Sequence, residues 1–385
     1  MPKARAGVHL AGVAKLPQFG AAIWPALKTG VVLENRILGL DGIRAVAVLM
    51  VFAQHTNNLA QSLQAGDFGV WAFFVLSGFL IVRILHAQRL DIEVGRETIA
   101  SAWLKFFRRR TLRIFPIYYL VLSICAVLTL TGPLLHYSGG QWPYYWSYLT
   151  NVYIETTGLL PGIFTHLWSL AVEEQFYLFA APVFLLLPSR LAPHLCVLVI
   201  AVGLARGFLN SESALHYDSL FNFYMLALGG LAGLIVSRIE PRTAKIVFSI
   251  AAPVMALALA ADYATTRTLK HSVFLFPLFV SSLYIFIFHF QKTLLVRALD
   301  CVPLRNLGRI SYGFYLYHNF VKLDAIRSAL GISFEPPNKV RVALELLITI
   351  VVATLSWVTI ERPLLKRKPE LRAINERSKV NYPVP

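Results

Sequence analysis

The sequence predicts an all-α fold, a polytopic bundle of about ten membrane-crossing helices, and three observations predict it. Hydrophobic residues fill 57% of the 385 positions and charged residues only 15%, where a soluble domain carries about 25% charged residues. The apolar residues gather into runs of 16 to 22, the length a helix needs to cross about 30 Å of hydrocarbon at about 1.5 Å per residue. Lys and Arg cluster between those runs, and they do so unevenly. A formal charge of +16 would otherwise suggest nucleic acid, but this placement follows the positive-inside rule, so no nucleic-acid partner is expected.

Residues 1–36 form a basic extension with a weakly apolar middle, AAIWPALKTGVVL, expected in the cytoplasm or on the membrane surface. Pro17 and Pro25 interrupt its apolar stretch, which argues against a cleavable signal peptide. The expected spans follow at 37–56, 68–86, 112–131, 167–187, 194–209, 219–237, 245–261, 272–290, 307–328 and 342–360. They belong to one membrane domain, 37–363, and residues 364–385 form a basic cytoplasmic tail. With the N-terminus inside, 28 Lys and Arg residues fall on the inner side and seven on the outer, with Arg44 alone inside the membrane. That bias places both termini in the cytoplasm. The outer loop 132–166 has almost no charge but carries Trp142, Tyr144, Tyr145, Trp146 and Tyr148, the composition of an interfacial aromatic belt. Cys125, Cys196 and Cys301 have no paired spacing, so neither a disulfide framework nor a metal site is expected.

Ionisable groups inside the spans point to function, because burying them in lipid is costly. Arg44 and His55 lie eleven residues apart on the first span. They return to within about 20° of one helix face and stand about 16 Å apart along the axis. Asp41, three residues before Arg44, is placed to partner it. The plainer reading has Arg44 snorkelling to headgroups and His55 at the interface. The loop 87–113 ends in WLKFFRRRTLRIFP, where Arg109, Arg110 and Arg113 cluster. Guanidinium forks suit phosphate, so the cluster either holds a phosphorylated ligand or merely fixes topology. The fourth span opens THLWSLAVEEQFYL, with Glu173 and Glu174 about two turns inside. Adjacent carboxylates point about 100° apart, so at most one is expected to face the cavity of His55. His166, Trp168 and Ser169 line the entrance in this reading. The ninth span, RISYGFYLYHNF, carries Ser311 and His318, while Ser77 and Gly78 in FFVLSGFLI read most simply as packing positions.

Taken together, Arg44, His55, one glutamate and His318 are expected to line a polar passage with the arginines at its cytoplasmic mouth. That arrangement suits transfer of a group from a cytoplasmic donor, with histidine as the base and a neighbouring carboxylate orienting it. A transporter or flippase of a lipid-linked sugar uses similar groups, and a haem or quinone protein would use His55, His166 or His318 as ligands.

Six motifs in order narrow these classes: LDGIRAVAVLMVFAQH, FFVLSGFLI, RRTLRIFP, HLWSLAVEEQFYL, SYGFYLYH and ERP at 361–363. Over residues 37–363 the chain resembles acyltransferase family 3, the integral-membrane O-acyltransferases. The resemblance implies a bacterial inner-membrane enzyme that moves an acyl group, often acetyl, from acyl-CoA to a hydroxyl of a cell-surface polysaccharide, lipopolysaccharide or similar glycoconjugate. It implies that Arg44 and His55 are essential and that Arg110 and Arg113 serve the CoA side. It implies no permanently bound cofactor and no metal. Acyl-CoA, the glycan acceptor, membrane lipids and, in an oligomer, a second copy of the chain are the partners it implies. Some relatives add a C-terminal hydrolase-like domain. With about 22 residues after ERP, this chain is expected to be the membrane domain alone.

Overall fold

The computed structural model describes residues 36–131, 139–209, 215–266 and 269–366. Residues 1–35 of the predicted extension and nearly all of the predicted tail lie outside them. Among the described residues every element is helical. The long helices are α1 (Leu40–Thr56), α3 (Ala65–Glu93), α4 (Ile99–Thr131), α7 (Leu167–Leu186), α8 (Ala192–Leu209), α9 (Ser219–Ile235), α10 (Pro241–Thr266), α11 (Phe276–His289) and α16 (Asn338–Ser356). Short helices connect them: α2 (Asn58–Ser62), α5 (Trp142–Trp146), α6 (Thr150–Thr157), α12 (Leu294–Leu299), α13 (Val302–Arg309), α14 (Ser311–Tyr317) and α15 (Leu323–Leu330). A π-helical turn, Trp357–Glu361, leads into α17 (Arg362–Lys366).

Six of the described helices are long and apolar enough to cross a membrane, and α9 and α11 are shorter apolar helices. On α10, Ile250, Val254 and Leu257 are exposed large apolar side chains. Such a surface would be an aggregation hazard in water and is at home in hydrocarbon. The molecule is an all-α multi-pass membrane protein.

Close helix contact is set by glycine. A Cβ on Gly78 of α3 would lie 1.7 Å from the Leu226 carbonyl oxygen of α9, and one on Gly229 of α9 would lie 1.9 Å from the Val75 oxygen of α3. The two backbones therefore touch, as small residues allow in membrane bundles. The packing role expected for Gly78 holds.

Two expected elements fold differently. The loop expected over 87–113 shrinks to residues 94–98, because α3 runs on to Glu93 and α4 begins at Ile99. Thr98 Oγ1 accepts the Ser101 N–H at 3.2 Å, and Lys105 pairs with Glu97 at 2.7 Å. That N-terminal cap starts a helix through residues with good helix propensity, so the arginine cluster rides on a 33-residue helix. The ninth span, expected as one helix over 307–328, is broken into α13, α14 and α15. His318 and Asn319 stand at the break, where their side chains bond backbone carbonyls of Tyr315 and Ile163. Such side-chain-to-backbone bonds compete with helix continuation. The aromatic loop also turns partly inward. Tyr145 stacks on Phe164 at 4.7 Å and Tyr148 on Tyr118 at 4.2 Å, both buried, while Trp146 stays exposed.

Candidate active site

Arg44 of α1, Ser77 of α3, Arg110 and Arg113 of α4, Glu173 of α7 and Ser311 of α14 line one partly open cavity of about 80 Å³. Three guanidinium groups against one carboxylate leave its lining positive, a field suited to an anionic ligand. Each charge is positioned by a neighbour. Arg44 Nη1 meets Asp41 Oδ1 at 2.9 Å, the pairing that the three-residue spacing predicts. Ser77 Oγ and Tyr177 OH both donate to Glu173 Oε1. The Arg110 guanidinium lies over the Tyr177 ring, 4.8 Å from its centroid, a cation–π contact. Arg113 sits in the fields of Arg44, Arg110 and Glu173. The buried Glu361 of the ERP motif faces Arg113 electrostatically and accepts from Ser356 Oγ at 3.4 Å.

Several expected site residues stand elsewhere. Arg109 is not among the residues that line this cavity, being turned about 100° from Arg110 on the same helix. Glu174 diverges from Glu173 as adjacent helical residues must. It is buried near Tyr118, Tyr148 and Tyr312, and among the described residues its Oε1 has no hydrogen-bond partner. Trp168 is buried against Phe74 and His216, at 6.0 and 4.8 Å, and does not line the cavity.

The C-terminal end of α1 carries a second group of residues. His55 is exposed there, while His166 and His318 are 3% and 1% exposed behind it. The His55 and His318 rings meet edge to face at 5.1 Å, and His318 and His166 at 5.2 Å. Backbone carbonyls orient all three, where a carboxylate had been expected for the base. His55 Nδ1 lies 2.8 Å from Val51 O, His318 Nδ1 2.6 Å from Tyr315 O, and His166 Nε2 3.2 Å from Leu316 O. A carbonyl only accepts, so the bonded nitrogen carries the hydrogen and the other keeps its lone pair. His55 therefore presents a free Nε2, the geometry of a general base. Among the described residues no three His, Cys, Asp or Glu side chains are arranged to hold a metal ion.

The two groups are adjacent but separate. His55 does not line the cavity. Ser169 and Tyr315 do, and they close its wall toward the histidines: Ser169 Oγ and Tyr315 OH are 2.6 Å apart, and both reach His166 O, at 3.3 and 2.8 Å. The Tyr315 ring lies 5.6 Å from His318 and 5.7 Å from His166. Tyr177 was legible as a partner of Glu173, because the two are four residues apart on one helix. Tyr315 had no such signal, since its place depends on the break after α14.

The family profile described as "Acyltransferase domain", that of acyltransferase family 3, matches residues 37–361. The peptidoglycan O-acetyltransferase OatA of Listeria monocytogenes is 30% identical over 363 residues, covering 85% of this chain and 55% of its own length. The O-acetyltransferase OatA of Staphylococcus aureus is 27% identical over 374 residues, covering 86% of this chain and 57% of its own. The chain thus spans little more than half the length of these relatives. No solved structure matches. The profile, the relatives and the helical membrane architecture agree, and the chain belongs to acyltransferase family 3.

Proposed function

We propose that this protein is a membrane-bound O-acyltransferase that moves an acyl group, acetyl first among them, from acyl-CoA to a sugar hydroxyl of a cell-wall or other surface glycan. The observation that carries the reading is the convergence of Arg44, Arg110 and Arg113 on one cavity beside the histidine group. The phosphates of CoA suit these guanidinium groups. The charge bias supports a cytoplasmic orientation for this end of α1, on the side where acyl-CoA resides, and in this reading the protein works in the bacterial inner membrane. The acceptor then approaches His55 from the opposite side.

In the transfer, the acceptor oxygen attacks the thioester carbonyl carbon as His55 Nε2 takes the hydroxyl proton. The carbon–sulfur bond breaks and the CoA thiolate leaves, later taking up a proton. The products are the sugar ester and free CoA. For the thioester to meet His55 it must pass Ser169 and Tyr315, whose mutual hydrogen bond lies between them.

The test uses the full chain in nanodiscs with labelled acetyl-CoA and a glycan acceptor. His55→Ala should abolish ester formation while leaving the folded fraction unchanged, and near-normal product would overturn the assignment. Arg110→Ala with Arg113→Ala should weaken acetyl-CoA binding at least about tenfold, in keeping with two lost charge-assisted contacts. Unchanged affinity would mean that the cluster only sets topology.

A further inference from the structure

The mouth beside His55 is unusually basic for its end of the bundle. Of the seven Lys and Arg residues that the charge count assigns to the outer side, Lys322, Arg327, Lys339 and Arg341 fall within 20 residues of one another. Asp324 engages two of them, Arg327 at 3.3 Å and Arg341 at 2.9 Å. Lys322 differs. It is half-buried, and among the described residues its ammonium has no hydrogen bond or ion pair within 4 Å. Lys322 follows His318 by four residues, and Phe320 between them packs against His166 with ring centroids 5.4 Å apart, which sets its charge in the field of the three imidazoles. The Glu345 carboxylate acts on it electrostatically but stands beyond ion-pair distance, and its Oε1 accepts the Leu323 N–H at 2.9 Å.

A half-buried ammonium has lost part of its hydration, and an oxyanion partner offsets that loss. Beside a base aimed at an incoming hydroxyl, the partner that arrives is the acceptor itself. We propose that Lys322 sets acceptor specificity by holding an anionic group, carboxylate or phosphate, on the glycan whose hydroxyl meets His55 Nε2. This rests on the acyltransferase reading above and adds the acceptor's charge to it. Lysine suits the task as a compact point charge on a flexible stem, which tolerates either oxyanion.

The test is a binding measurement, independent of turnover, on the full chain in nanodiscs of zwitterionic lipid. The probes are a tetrasaccharide of alternating N-acetylglucosamine and glucuronate, its carboxyl-reduced form, and that reduced form bearing a terminal phosphate. The wild type should bind at least one anionic probe about tenfold more tightly than the neutral one, and the tighter of the two identifies the group. Lys322→Gln should erase that preference without changing affinity for the neutral probe, and Lys322→Arg should keep it. Equal binding of all probes by the wild type, or a preference that survives in Lys322→Gln, overturns the proposal and leaves Lys322 to lipid headgroups or bulk water. Acetyl-CoA binding to the same samples reports separately on the acyltransferase reading.

Discussion

At the scale of single residues, the site depends on side chains that fix other side chains. Glu173 carries the one negative charge in the cavity lining, and both Ser77 and Tyr177 hold the same oxygen of it. Tyr177 also supports Arg110 through its ring. The two contributions separate by substitution. Tyr177→Phe removes one donor to a charged group, worth about 1.5–3 kcal/mol, and keeps the ring under the guanidinium. It should lower kcat/KM for acetyl-CoA by roughly tenfold or more and lower the thermal midpoint by a few degrees. Tyr177→Ala loses both contacts and should cost more in activity and in stability. Equal rates for wild type and Tyr177→Phe would remove Tyr177 from the site. Histidine shows the same dependence on support: Val51 O, and not a carboxylate, decides which nitrogen of His55 is free.

At the scale of elements, the site is built where helices touch or end. The contact of α3 with α9 through Gly78 and Gly229 holds Ser77, the neighbour of Gly78, in position to reach Glu173 on α7. Gly78→Val would drive a side chain into the Leu226 carbonyl, and because helical cores do not yield by such distances, the helices must separate. Thermal unfolding in detergent should fall by several degrees or the protein should fail to accumulate. Gly140→Ala, with nothing within 4 Å of the added carbon, should behave as wild type. If both variants behave alike, the glycine contact is not what holds these helices. The break after α14 has the opposite role. It ends a helix so that His318 and Asn319 can bond to backbone oxygens and Tyr315 can stand between cavity and histidines. The motif SYGFYLYH pointed to this stretch as important, yet its apolar pattern read as one continuous span. Hydropathy does not register a break whose polar groups find their partners inside the bundle.

For the membrane domain as a whole, α1 carries Arg44 in the cavity near its start and His55 among the histidines at its end, about 16 Å apart along the axis. Donor and acceptor are therefore expected to approach from opposite faces. In sealed vesicles of known orientation, acetyl-CoA should support transfer only when supplied on the face that the distribution of Lys and Arg assigns to the cytoplasm. Equal activity from either face would reject this division. Hydropathy runs, the placement of Lys and Arg and the order of six motifs were enough to establish an all-α membrane bundle and its family, because each is a property of neighbouring residues along the chain. The spacing of Asp41 and Arg44 likewise anticipated their ion pair. Which residues share the cavity was decided only by tertiary packing. Ser77 and Glu173 lie 96 residues apart, and Ser169 and Tyr315 lie 146 apart. No period along the chain reaches across those separations; the close approach of α3 to its neighbours and the ending of α14 bring the pairs together.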